Sequence, residues 1–234
     1  MSERPWRLFV ALDLPEEVRA AVAGWTLGAL HGRGDLRPVP EAALHVTLVF
    51  LGGVEPGRVA DVWEAVAGAW EGCRAPGLGV SGVVGLPQDR PRLFALGLCD
   101  EAGRAAALHG AVAGALEAAE LYEPGGRRFW PHVTVARVRR GARSAHMGSD
   151  PPALGRFVAP ALTLYRSGRG RTTSRWSGSC CPGDGRVAQS SRTRNTGIPQ
   201  RPIRLAACAA QRLRSRRQAW TRIRRRPPRR GMSR

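Results

Sequence analysis

The sequence predicts a mixed fold of strands and helices in two comparable halves, and three observations carry that reading. The stretch Leu44-His45-Val46-Thr47-Leu48-Val49-Phe50 returns 87 residues later as Pro131-His132-Val133-Thr134-Val135-Ala136. Strand-like and helix-like periodicities alternate around both copies. That grammar stops at Ser167, so the fold is expected to end near residue 166.

Trp6 to Leu14 is apolar and reads as a buried strand, and Pro15-Glu16-Glu17 opens a helix to about Leu30 with acids in its first turn, where the helix dipole favours them. Gly32 to Pro40 reads as a loop. The first His-x-Thr strand follows and is expected to end at the turn signal Gly52-Gly53. From about Gly57 to Trp70, Val59, Val62, Trp63 and Val66 recur at helical spacing. Leu78 to Leu86 and Arg92 to Leu98 form a hairpin across the turn-rich 87–91 segment, and Ala102 to Leu121 is an Ala-rich helix. The second His-x-Thr strand comes next, and Phe157 to Tyr165 supplies one more strand.

Successive side chains of a strand point to opposite faces. Strict alternation therefore puts His45, Thr47 and Val49 on one face and Leu44, Val46, Leu48 and Phe50 on the other. In the second copy His132, Thr134 and Ala136 oppose Val133 and Val135. An imidazole and a hydroxyl project side by side twice.

The net charge of +19 is unevenly placed. Residues 1–166 carry 18 Arg against 17 acids, a net of +1, while residues 167–234 carry 19 Arg against Asp184 alone, a net of +18. The second segment, rich in Arg, Ser, Gly, Pro and Thr, is expected to be disordered. Its Arg runs fit a nucleic-acid-attracting arm. The absence of Lys from the whole chain favours the plainer reading of a frameshifted end in a GC-rich gene. Five Cys in no metal or disulfide pattern suggest a reducing, cytoplasmic compartment. No apolar run is long enough for a secretion signal or a membrane span, so a soluble protein with no membrane partner is expected.

The segments RLFVALDLP, LHVTLVFLG, FWPHVTVARV and LTLYRS together resemble the RNA 2',3'-cyclic phosphodiesterases, or 2'-5' RNA ligases (LigT-like), of the two-histidine phosphoesterase superfamily. The resemblance covers roughly residues 4 to 167 and implies an α+β fold. That fold has two pseudo-symmetric lobes, each an antiparallel sheet with helices outside, and a catalytic cleft between them. Family members usually continue from the LYRS segment into a closing strand. Here Thr172-Thr173-Ser174-Arg175-Trp176-Ser177 stands in its place, and that strand is expected to be missing.

Hydrolysis of a 2',3'-cyclic phosphate needs a water activated on one side of phosphorus and a proton delivered to the leaving ribose oxygen on the other. Two histidines can do both, because imidazole titrates near neutrality. Hydroxyls beside them can donate to the non-bridging oxygens. The resemblance implies that His45 is the general acid and His132 the general base, leaving a 2'-phosphate, with Thr47 and Thr134 holding the phosphate. Neither a cofactor nor a metal is expected, and a monomer acting on RNA ends is.

Arg137 follows the second motif and is a candidate substrate contact. Strict alternation places it opposite His132, where a salt bridge or a strand-end role would suit it equally. Phe129 and Trp130 are candidates to stack a terminal base, with core packing the better account of at least one. His31, His109 and His146 lack a matching neighbour and are read as surface or helix-face residues. Two other functions stay open. One keeps the histidine pair and acts on small cyclic nucleotides or cyclic ADP-ribose phosphate; the other is a non-catalytic RNA-binding protein using its basic tail.

Overall fold

The computed structural model describes residues 4–142, 147, 150–167 and the backbone of 175–178. The Arg-rich segment, expected to be disordered, falls outside these residues apart from Ser167 and the 175–178 backbone, as does His146.

The element order is β1 (Trp6–Asp13), α1 (Glu16–Ala29), β2 (Leu36–Pro38), β3 (His45–Val54), α2 (Val59–Trp70), β4 (Gly77–Leu86) and β5 (Leu93–Cys99). It continues with α3 (Arg104–Ala118), β6 (His132–Val138), β7 (Phe157–Val158), β8 (Leu162–Ser167) and β9 (Arg175–Gly178). Every strand pair is antiparallel. The strands run in the order β7-β4-β5-β6-β3-β1-β8-β9, with β2 added on β6. Between β6 and β3 the ladder narrows to one residue pair, Val46 with Val133. Two antiparallel sheets, each carrying one motif strand at its inner edge, thus meet at that pair. This is the α+β, two-lobed arrangement implied by the resemblance.

Helices cover the sheets because each presents an apolar stripe. In α2 Val59, Val62, Val66 and Trp70 are buried, and full burial of a side chain such as Val62 stabilises by roughly 1.5–3 kcal/mol. Helix α2 packs on α3, which lies against β3, while α1 lies against β6. The core beneath is built from Leu8, Val10 and Leu12 of β1, Val46 of β3, Leu96 of β5, and Val133 and Val135 of β6.

Four expectations are corrected. The 32–40 loop contains β2, whose Leu36 is buried and whose backbone pairs with β6; three residues are too few for a periodic signal. The Gly52-Gly53 pair does not end β3, which runs to Val54. The pairing there skips Leu51, and Gly52 takes φ of +76°, the left-handed region that a glycine occupies without steric cost in a bulge.

The single strand expected over Phe157 to Tyr165 is two strands near opposite ends of the strand order, β7 on β4 and β8 on β1. Pro160 has no N–H to continue a ladder and parts them. The closing strand is present: β9 pairs with β8 from Tyr165↔Arg175 to Leu162↔Gly178. An open sheet edge offers unpaired backbone groups to any extended segment free of proline, whatever its side chains.

Candidate active site

The single pair Val46↔Val133 fixes the geometry of both motifs. Both valines are buried, so the residues on either side of them project from the other, cleft-facing side of the sheet. Extending the antiparallel register by one residue each way sets His45 opposite Thr134 and Thr47 opposite His132. The four side chains form a quartet with the histidines on one diagonal and the threonines on the other.

Each imidazole is held in the same manner. His45 Nδ1 lies 2.8 Å from the carbonyl of Ala43, and His132 Nδ1 lies 2.9 Å from the carbonyl of Trp130. A carbonyl oxygen can only accept, so each Nδ1 carries the proton and each Nε2 is left for chemistry. Both rings are also stacked. His45 lies against Phe9, with ring centroids 4.8 Å apart, and against Tyr165 at 5.6 Å; His132 lies 4.6 Å from Trp130. Ring orientation and tautomer are therefore fixed before any substrate arrives.

Behind His45 stands Asp13, its cross-strand partner. Asp13 is buried and accepts hydrogen bonds from Tyr165 Oη at 2.5 Å and Thr163 Oγ1 at 3.2 Å. Burial lowers the His45 pKa below the ordinary imidazole value, working against the Ala43 carbonyl and the Asp13 charge, which raise it. The charges of His132 and Arg137 push it down further. Both groups thus act on His45 across the junction between the two sheets.

The face expected for Arg137 is corrected, because strict alternation fails on β6. Thr134 pairs with Ala95 and Ala136 with Phe94, so Val135 is an extra residue in the ladder. Beyond a bulge the alternation changes phase. Arg137, opposite Leu93, shares its face with Ala95, Gly97, Thr134 and His132.

The same device operates on β3, where Ala11 pairs with Thr47 and Val10 with Val49, leaving Leu48 as the extra residue. Val49 turns into the core at 1% exposure, and Phe50, expected on the core face, lies on the motif face at 49% exposure. Its ring stacks on Phe9, with the Arg7 guanidinium 5.5 Å from its centre.

A family model of the 2'-5' RNA ligase superfamily matches residues 14–170. The chain belongs to the 2'-5' RNA ligase superfamily. An RNA 2',3'-cyclic phosphodiesterase of Escherichia coli (strain K12) is 31% identical over 186 residues, covering 74% of this chain and 93% of that protein. One of Geobacillus stearothermophilus is 30% identical over 173 residues, covering 70% of this chain and 53% of that protein. The chain therefore spans about half the length of this second relative. Among solved structures, E. coli LigT complexed with 3'-AMP is similar at 26% identity and a TM-score of 0.59, covering 74% of this chain and 98% of LigT. TT0787 of Thermus thermophilus is similar at 27% identity and a TM-score of 0.57, covering 73% of this chain and 94% of that one.

Of the residues that sequence reasoning singled out in this superfamily member, the structure brings His45, Thr47, His132, Thr134, Arg137 and Trp130 to one face. Phe129 goes elsewhere, stacking on His109 at 4.7 Å. Missed were Phe50, hidden by the assumption of unbroken alternation, and the Asp13–Tyr165 support, which joins residues 152 positions apart. Repetition of the motif held one clue: Phe50 and Arg137 each stand five residues beyond a motif histidine. Among the described residues no group of three or more His, Cys, Asp or Glu is placed to hold a metal, and no helix is long and apolar enough to cross a membrane.

Proposed function

We propose that the protein hydrolyses RNA 2',3'-cyclic phosphate ends to 2'-phosphates by paired-histidine acid–base catalysis. The observation that carries this reading is the diagonal quartet. Displacement at phosphorus is in line, with attacking and leaving oxygens on opposite sides. The histidine diagonal meets that demand, and the threonine diagonal meets the non-bridging oxygens lying across it. The names of the Escherichia coli and Geobacillus relatives support cyclic phosphate hydrolysis, and the 3'-AMP held by LigT supports a ribonucleotide as ligand.

In the reaction His132, neutral with its proton on Nδ1, takes a proton from water at Nε2 as the water oxygen bonds to phosphorus. The bond from phosphorus to the 3'-oxygen breaks, and His45 gives its Nε2 proton to that oxygen. Thr47 and Thr134 donate to the non-bridging oxygens, and Arg137 pairs with the phosphate charge. The anionic ester, seated between the imidazoles, stabilises the protonated form of His45 that burial disfavours. Phe50 and Trp130 offer ring faces to the terminal base, since base stacking on aromatics tolerates any sequence.

Role assignment is tested with a nitrophenyl phosphodiester, whose leaving group needs no proton. His45→Ala should retain most turnover of that substrate while losing hydrolysis of the cyclic ribose phosphate, and His132→Ala should lose both. The reverse pattern exchanges the roles of the two residues.

A further inference from the structure

The register of β2 on β6 sets Arg37 directly opposite Arg137. Cross-strand partners share a face, so the bulge that turns Arg137 onto the motif face puts Arg37 there as well. Like charges directly opposite destabilise a sheet, and both side chains are exposed. The ion pairs among the described residues join Arg19 to Glu41, Arg33 to Asp35, Arg58 to Asp61 and Arg156 to Glu101. The nearest acid in sequence, Asp35, is thus already held by Arg33, with two 2.8 Å hydrogen bonds.

Residues 1–166 are almost neutral overall, yet the strands place Arg7, Arg37 and Arg137 on the motif face against one acid, the buried Asp13. Acids gather instead around the Phe50 end of that face, where a cavity of about 580 Å³ is lined by Glu117, Glu120 and Glu123 together with Phe50 and Tyr122. A polyanion leaving the cleft is repelled on that side and attracted towards Arg37.

We propose that Arg37 binds the phosphodiester on the 5' side of the terminal nucleotide, which makes the site selective for the end of an RNA chain over a mononucleoside cyclic phosphate. This rests on the reading of His45 and His132 given above. Arg137 engages the cyclic phosphate, and Arg37, the next cation along the same face, engages the next phosphate. A mononucleoside cyclic phosphate carries no group there.

The test compares the full-length protein with its Arg37→Gln variant on two substrates, a short oligoribonucleotide ending in a 2',3'-cyclic phosphate and a nucleoside 2',3'-cyclic phosphate, over a range of salt. The basic C-terminal segment is present in both proteins, so the difference isolates Arg37. The preference for the oligonucleotide, as a ratio of kcat/KM values, should fall about tenfold in the variant, mainly through KM, with the salt slope reduced by about one charge. Arg37→Lys should recover most of the salt slope. An unchanged ratio, or equal losses on both substrates, would overturn the proposal. Turnover of neither substrate by the folded wild-type protein would overturn the underlying reading and this proposal with it.

Discussion

Phe50 and Arg137 occupy equivalent places in the two halves, five residues beyond His45 and His132. Each is turned onto the motif face by one extra residue in its strand, Leu48 in β3 and Val135 in β6. The two sheets therefore present different groups at related positions, an aromatic ring on one side of the cleft and a guanidinium on the other. In the proposed reading Arg137 takes the phosphate charge on one side of the cleft, while Phe50 on the other side joins Trp130 in offering ring faces to the base.

That asymmetry predicts separable defects. Arg137→Gln should lower kcat/KM for a cyclic phosphate by roughly 10–100-fold, consistent with loss of charge-assisted hydrogen bonds to phosphate. Phe50→Ala should raise KM several-fold with a smaller change in kcat, and its unfolding free energy should change little because the ring is half exposed. Steady-state kinetics beside denaturant titration read both; equal kcat losses in the two variants would deny the division of labour.

The pH dependence follows from His45. Its folded-state pKa lies below the ordinary value of 6.5 because of burial, and the general-acid role proposed for it requires the protonated form. Activity measured as kcat/KM should therefore fall on the basic side through a limb below about pH 6.5. Asp13→Asn removes a charge that raises the His45 pKa and should move that limb to still lower pH. Stability carries the opposite sign. Below about pH 6.5 the unfolded chain binds the proton that folded His45 resists, so this histidine's contribution is lost as pH falls. His45→Asn should flatten that part of the stability profile.

Gly97 offers a test of the second ring stack. A Cβ added there would meet Ser81 Oγ at 2.8 Å and the Trp130 ring at 3.1 Å, closer than ordinary packing allows. Gly97→Val should displace Trp130 from His132, lower kcat at least tenfold and change the intrinsic tryptophan fluorescence, while His45 keeps its own stack. Unaltered kcat in a variant with shifted fluorescence would show that Trp130 has no part in orienting His132.

Much of this arrangement is legible in the sequence, because the determinants are local. Continuous apolar runs such as Trp6–Asp13 and helical stripes such as Val59, Val62 and Val66 state their own burial, and duplication of His-x-Thr states the chemistry. What escaped depends on pairing between distant segments. A bulge is a property of two strands, so neither Leu48 nor Val135 looks exceptional alone, and with them went the correct faces of Phe50 and Arg137. Strand β2 is three residues long and is defined only by its partner β6. Asp13 read as the end of an apolar strand until β8 brought Tyr165 and Thr163 against it.

The Asp13 cluster is the test of how far the site depends on its support. Asp13→Ala leaves the Tyr165 hydroxyl and Thr163 without their acceptor and should cost about 1–3 kcal/mol of stability. Tyr165→Phe should cost less, since the ring stack on Phe9 and His45 survives. Chemical denaturation distinguishes them, and equal costs would mean that the carboxylate stabilises the fold only through the Tyr165 hydroxyl, with Thr163 adding nothing.

The most direct measurement is hydrolysis of an RNA oligonucleotide ending in a 2',3'-cyclic phosphate, in EDTA, by the protein and by its His45→Ala and His132→Ala variants. The paired-histidine account predicts a 2'-phosphate product from the parent protein and losses of at least about a hundredfold in each variant, since each proton transfer contributes about 10²–10⁴. Turnover that persists in either folded variant, or a 3'-phosphate product, would contradict it.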